Sequence, residues 1–337
     1  MKKGLPVLII ALILFQSCLN GQIKNGIYKN DQIDSKIRSA INANNKMAFA
    51  AISEGKLDGL DGIIWDSLKM NLNDDFKNKF IPQMSRIMKG KTYRVFADIY
   101  IQTAKAQDSC KIEAGDGDNK WSMKISTRTK ESYLSMLVTG DTLNEVMLTL
   151  VYEKIDGKWK LCNIMGEDYS LAGKNALDLY HHAQELEKKN YLIDAINFMS
   201  LSNHCLHPAG QYFLYAKQKE IKDYTDSLTN KTIAIFPFPY LMQQVKSMPT
   251  VVNLHYEVYE HQFVPFIAYQ SHYFVKDTVA LKGENDEIQS KIGTIFPGMD
   301  KIHPYILYRV YNDLPQGNSN PPYYGFIQKI KSELEKN

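Results

Sequence analysis

Residues Val151 to Ile164, "VYEKIDGKWKLCNI", constrain the fold more tightly than any other stretch of the chain. Asp156 and Gly157 are the residue types that tolerate positive φ at both central positions of a two-residue hairpin turn. Tyr152 precedes them, and Trp159 with Leu161 follows, so two antiparallel strands must meet here in one register. The sequence before this hairpin supplies further strands. Tyr93, Val95, Ala97, Ile99 and Ile101 alternate with Arg94, Asp98 and Gln102, which assigns Asp98 to the solvent face of a half-buried strand. Trp121, Met123 and Ile125 alternate with Ser122, Lys124 and Ser126, and "SYLSMLV" and Val146 to Tyr152 add two more strands.

Upstream, the apolar period is that of a helix. Ile33, Ile37, Ile41, Met47, Ala48, Ala51 and Ile52 fall at helical intervals between Asp31 and Ser53, and the glycines of "EGKLDGLDG" end the pattern near Glu54. A second apolar segment, "IIWDSLKM", and a third from Asp74 to Lys89, punctuated by Pro82 and closed by Gly90, follow. Two or three helices leading into a twisted antiparallel sheet that finishes in the "DGKWK" hairpin resemble the NTF2-like, cystatin-type α+β cone, over about Asp31 to Met165. The resemblance implies a curved sheet wrapped round the first helix, with a concave pocket at the open end. It implies a lining of Tyr100, Trp121, Tyr133 and Tyr152, with Asp98 as a base in the manner of related isomerases. Strand alternation instead gives Asp98 to solvent. Families of this shape include isomerases and dehydratases as well as non-catalytic binding domains, so the fold does not choose among functions.

From Glu167 the helical period returns. Ala176, Leu179, Tyr180, Ala183 and Leu186 line one face, and after "KKN" Tyr191, Leu192, Ala195, Ile196 and Met199 line another. The segment "NALDLYHHAQELEKKNYLIDAINFM" resembles a single TPR-type helical hairpin, which implies a docking or linker module because such solenoids need about three repeats to bury a core. A further helix is expected from Gln211 to Leu228. Beyond Lys231, "TIAIF", "VVNLHYEVY" and "QFVPFIAYQSHYFV" read as strands, "ENDEIQSKIGTIF" as a helix and "IHPYILYRVY" as a last strand. Pro265 directs its strand to an edge or a bulge. "QGNSNPPYYGF" reads as a loop and "IQKIKSELEKN" as a short surface helix. The expected class is α+β: N-terminal helices on a curved antiparallel sheet, a helical hairpin, then a small C-terminal α+β domain. The expected division is a signal segment at 1–17, a tether at 18–30, and modules at 31–166, 167–230 and 231–337.

The signal reading rests on "MKKGLPVLIIALILFQSC". Lys2 and Lys3 precede an apolar run, Leu5 to Phe15, about half the roughly twenty residues that a permanent span requires. The small residue Ser17 followed by Cys18 resembles the lipid-attachment site of bacterial lipoproteins, although Phe15 and Gln16 depart from its stricter form. The resemblance implies an anchor through Cys18, and Leu19 after it implies outer-membrane placement facing the periplasm. The alternative is plain cleavage near Gly21 and a secreted protein. Two or three acyl chains hold firmly, since each buried methylene contributes about 0.8 kcal/mol.

Composition narrows the classes further. Forty Lys and Arg stand against 37 Asp and Glu, a net charge of +3, with the signs interspersed. A nucleic-acid footprint is absent from this pattern. Besides Cys18 there are Cys110, Cys162 and Cys205. Export to an oxidising compartment permits a disulfide, for which Cys110 and Cys162, on strands expected to share a sheet, are the better pair. Three buried thiols are the alternative.

Candidate chemistry is sparse. His181 and His182 point about 100° apart on their helix and read as surface residues. His204 and His207 share a face only if the helix persists to Pro208. On "LHYEVYEH", His255 and Glu257 project to one side about 6.6 Å apart, a geometry that suits a metal or an acid/base pair as well as an ordinary solvent face. "EAGDGDNK" lacks the ligand spacing of a calcium loop and reads as a hairpin turn. No G-x-S-x-G, H-E-x-x-H, phosphate-loop or dinucleotide fingerprint occurs, and no cofactor is implied. The sequence therefore points to a non-catalytic envelope lipoprotein that binds a small molecule or a protein. An isomerase- or hydrolase-like enzyme and a structural subunit of an envelope complex are the alternatives.

Overall fold

The structure, a computed structural model, describes residues 26–315 and 321–330. The expected signal segment, Cys18 and residues 331–337 lie outside the described residues. The fold is α+β, with seven α-helices and three sheets among the described residues.

A short strand, β1 (Gly26–Lys29), occupies part of the expected tether and is followed by α1 (Ser35–Glu54). The Asp34 carboxylate caps α1 by accepting from the Lys36 and Ile37 amides, and Gly55, at φ 69°, closes it in the left-handed conformation that glycine allows. Its buried stripe is Ile41, Asn45, Ala48, Phe49 and Ile52, while Met47 is exposed. Two shorter helices, α2 (Asp66–Asn71) and α3 (Ile81–Met88), complete this layer, with Pro82 in the first turn of α3, which continues directly from a π-helical turn over Phe76–Phe80.

The strands β2 (Tyr93–Gln102), β3 (Ser109–Ala114), β4 (Trp121–Ser126), β5 (Glu131–Gly140), β6 (Asn144–Ile155) and β7 (Lys158–Leu171) come next. The β6–β7 hairpin turns at Asp156 and Gly157, at φ 49° and 75°, as the sequence requires. With β8 (Lys174–Asn175), a six-stranded antiparallel sheet forms in the order β1-β2-β5-β6-β7-β8 and curls into a half-barrel. Both its faces are buried. Tyr100, Tyr133, Leu148, Leu150 and Tyr152 pack on the α1–α3 side, and Ile99, Leu134, Met136, Met147 and Val151 face the opposite core.

On that opposite side lie α4 (Ala176–Lys188) and α5 (Leu192–His204), an antiparallel hairpin whose first helix is capped by Asn175 in a reciprocal box with Asp178. A three-residue strand, β9 (Phe213–Tyr215), then crosses to pair with β4, so that β3, β4 and β9 make a separate sheet. The next helix, α6 (Gln218–Ile235), absorbs the expected strand "TIAIF": Ile221, Leu228 and Thr232 fall on one buried face, and that burial overrides the β-propensity of the last turn.

The C-terminal sheet runs β10 (Tyr240–Leu241), β11 (Thr250–Tyr259), β12 (Gln262–Gln270), then, after α7 (Thr278–Ile295), β13 (Tyr305–Tyr311) and β14 (Tyr323–Lys329). All its pairings are antiparallel except β12 with β13, which α7 connects. Pro265 lies in a central strand, contrary to expectation. Pairing with β13 begins only at Phe266, so Pro265 has a neighbour on one side alone and its missing N–H is accommodated. Residues Tyr323 to Lys329 alternate as an edge strand where a loop and the start of a surface helix were expected.

One continuous core joins the half-barrel, the helical hairpin and the C-terminal sheet. β7 and α6 run through the boundaries expected at 166/167 and 230/231. No described helix is long and apolar enough to cross a membrane.

Candidate functional site

The half-barrel interior gathers four of the five residues that its resemblance implied: Asp98, Tyr100, Tyr133 and Tyr152. Asp98 lies opposite Ala97, Ile99 and Ile101, as alternation requires, but that face is buried on the α1 side and not in solvent. The register of β2 against β5 shifts between Val95 and Ala97, where Phe96 is the extra residue, and every side chain beyond it changes face. Tyr93 and Tyr100 consequently pack into the same layer although they stand seven positions apart, an odd spacing that would otherwise put them on opposite faces.

Asp98 is 4% exposed and ends a directed chain of hydrogen bonds. The Tyr152 hydroxyl donates to Asn45 Oδ1 at 3.0 Å, Asn45 Nδ2 donates to Ser135 Oγ at 2.8 Å, and Ser135 Oγ donates to Asp98 Oδ1 at 2.6 Å. The Tyr133 hydroxyl faces the same carboxylate without hydrogen-bond geometry. Burial raises Asp98 above the usual carboxylate range, and the Ser135 bond offsets this only in part. Burial likewise pushes the Tyr133 and Tyr152 hydroxyls well above the usual phenol range. Asn45, supplied by α1, carried no signal in the sequence because a polar residue in a helix reads as surface.

A desolvated carboxyl beside a phenol is the pairing that proton-transfer isomerases use. Here Tyr133 and Tyr152 are 0% exposed and the interior is filled by its own side chains. Tyr100 sits at the rim, where its hydroxyl donates to Glu131 at 2.7 Å and Lys154 pairs with the same carboxylate at 2.9 Å. Trp121 does not join this lining: it belongs to the β3-β4-β9 sheet and stacks on Phe213 at 4.9 Å.

The open concavities lie outside the half-barrel. Two clefts, of about 340 and 740 Å³, meet at Ser126, which ends β4, and Arg128 in the β4–β5 connection. The smaller has an apolar wall of Met123, Ile125, Val151 and Met165, and the larger is bordered by Trp65 and by hydroxyls of Ser109, Thr127 and Thr129. The connection is held from beneath by Glu153 of β6, only 2% exposed. Its carboxylate accepts from the Arg128 and Thr129 amides, both at 3.1 Å, and from the Thr129 and Ser132 hydroxyls at 2.8 and 2.7 Å. Trp65 is tied to β7 by its amide, which donates to the Leu161 carbonyl at 3.0 Å. The Arg128 guanidinium lies over the Trp65 ring, 5.0 Å from its centroid.

A third cleft, of about 380 Å³, opens where β7, α5 and β11 meet, and is lined by Asp168, Asn197, Ser200, His204, His255 and Tyr256. Burial raises Asp168 above the usual carboxylate range. His204 ends α5, so His207 does not share its helical face. His207 instead bonds the Phe213 carbonyl at 3.0 Å through Nδ1. His255 Nε2 is 3.3 Å from Glu257 Oε1, and both side chains are partly exposed. Among the described residues no three His, Cys, Asp or Glu side chains converge to hold a metal ion. Behind this cleft, buried Asp194 accepts from the Tyr256 hydroxyl and from His303 Nε2, each at 2.8 Å, and so ties α5 to the C-terminal sheet.

Cys110, Cys162 and Cys205 are free thiols. The expected Cys110–Cys162 pairing assumed a common sheet, but Cys110 is on β3 and Cys162 on β7, in different sheets. Burial pushes the Cys162 and Cys205 thiols up to about 12. Comparison with protein-family models, curated proteins and solved structures finds no match to this chain, so its function must be argued from this geometry.

Proposed function

We propose that this chain is an exported lipoprotein, anchored through Cys18 in the cell envelope and facing the periplasm, that binds a partner rather than transforming a substrate. The observation that carries the binding reading is the contrast between a half-barrel interior sealed by Asp98, Tyr133 and Tyr152 and the open clefts that meet at Arg128. The curled sheet wrapped round α1 supports an NTF2-like assignment of residues 31–166, and the α4–α5 hairpin supports a TPR-like one for the helical module. In this reading the half-barrel is a scaffold whose polar interior fixes one packing of α1 on the sheet, and the ligand sits on the outer side between the two N-terminal sheets.

Mass spectrometry of the mature protein from its native host tests the anchor. Acylated Cys18 as the first residue is expected, with Cys18→Ala released from the membrane fraction. An intact Met1, or an unmodified amino end beyond residue 18, would overturn it. The enzyme alternative is favoured by one observation, the desolvated Asp98 beside Tyr133. Turnover of ester, glycan or steroid-like substrates that disappears in Asp98→Asn would establish it in place of the binding reading.

A further inference from the structure

We infer that the paired clefts at Arg128 form a site for a small organic carboxylate, its charged end on the Arg128 guanidinium and its apolar body against Met123, Ile125, Val151 and Met165. This deepens the binding reading above and rests on it.

The argument begins with what Arg128 lacks. Its guanidinium makes no ion pair and no hydrogen bond among the described residues, although five N–H donors are available. Here the guanidinium is stacked on Trp65 instead, which leaves its donating edges free while fixing its plane. The backbone beneath is equally fixed, since the four hydrogen bonds to Glu153 hold residues 128, 129 and 132 to β6. A preorganised planar fork with unspent donors matches a carboxylate in bidentate geometry, and little ordering entropy is lost on binding.

The surroundings set the rest of the ligand. Arg128 and Lys124 are the two cations of the smaller cleft. Glu153 is its one carboxylate, buried at the back with both oxygens already accepting. With Asp108 of the larger cleft counted as well, two cations face two carboxylates, a balance that suits one negative charge better than a phosphate dianion. The apolar wall then requires an aliphatic or aromatic body, and at about 340 Å³ the cleft lies in the lower part of the range for small-molecule sites. The hydroxyls of Ser126 and Thr129, shared with or bordering the larger cleft, stand near the charged end.

Titration calorimetry of the full mature protein with phenylacetate and hexanoate, with their methyl esters, and with inorganic phosphate tests this. The acids are expected to bind at least about tenfold more tightly than the esters. Arg128→Met should lose about that factor, Arg128→Lys should recover only part of it, and Trp65→Leu should also weaken binding, with circular dichroism unchanged in each. Indole resonances of Trp65 should shift on titration. Equal binding of acids and esters with the Trp65 shift retained would overturn the carboxylate assignment while leaving the cleft a binding site. Undiminished binding by Arg128→Met, or phosphate competing on equal terms, would overturn it as well. No binding of acids or esters at millimolar concentration would count against both this inference and the binding reading.

Discussion

The Ser135 hydroxyl and the Asp98 carboxylate lie 2.6 Å apart in the closed interior of the half-barrel, at the end of a chain of donors that begins at Tyr152. Each donor in that chain points towards Asp98, so the hydroxyls and the amide polarise one another in one direction. The arrangement favours the ionised carboxylate, and burial opposes it more strongly.

The pH dependence follows from that balance. The folded-state pKa of Asp98 is raised above its unfolded value near 3.8. Its contribution to stability is therefore fully present below that value and is lost as pH rises through the folded pKa. Asp98→Asn removes this titration. The stability of the variant relative to the parent should increase as pH rises above about 4 and then level off, measured by urea unfolding across the range.

Two phenol deletions should differ in cost. Tyr152→Phe leaves Asn45 Oδ1 buried without its donor and is expected to cost about 1–3 kcal/mol. Tyr133→Phe removes a hydroxyl with no hydrogen bond of good geometry and should cost less than about 0.5 kcal/mol or stabilise. Chemical denaturation of both variants at neutral pH distinguishes them.

Asp194 joins the helical hairpin to the C-terminal sheet. Asp194→Ala strands both Tyr256 and His303 and should destabilise by about 3 kcal/mol. Because the two partners meet at one oxygen, Tyr256→Phe and Asp194→Asn should show coupling of at least about 0.5 kcal/mol in a double-mutant cycle. Hydrogen exchange in β11 should accelerate in Asp194→Ala.

The thiols should all be reduced. Alkylation after unfolding without reductant is expected to modify Cys110, Cys162 and Cys205, located by peptide mapping. In the folded protein at pH 8, half-buried Cys110 should react first, since burial suppresses the thiolate at Cys162 and Cys205.

Local chemistry made several elements legible. The Asp156–Gly157 turn, the alternation of Trp121, Met123 and Ile125, and the glycine closing α1 each depend on neighbours in sequence, and each is found as read. The misreadings share a different cause. Asp98 was expected in solvent because alternation sets it opposite Ala97, Ile99 and Ile101; it does lie opposite them, and nothing in β2 itself shows that this second face is covered too. β5 and β6 are buried on both faces, so alternation carries little information there. The end of α6 was read from its β-branched residues, which tertiary burial outweighs. Asn45 and the stack of Arg128 on Trp65 were invisible for a simpler reason: each joins residues more than sixty positions from its partner, in a helix and in loops.

The three residues of β9 have a practical consequence for anyone who cuts this chain. Phe213 to Tyr215 complete a sheet begun a hundred residues earlier, and Phe213 covers the face of Trp121. A fragment stopping after the half-barrel would present a bare strand edge and an uncovered indole, the combination that drives neighbouring copies to stick together. Sensible truncations therefore keep everything through residue 215, and a soluble N-terminal piece lacking it would mean that another segment had taken its place.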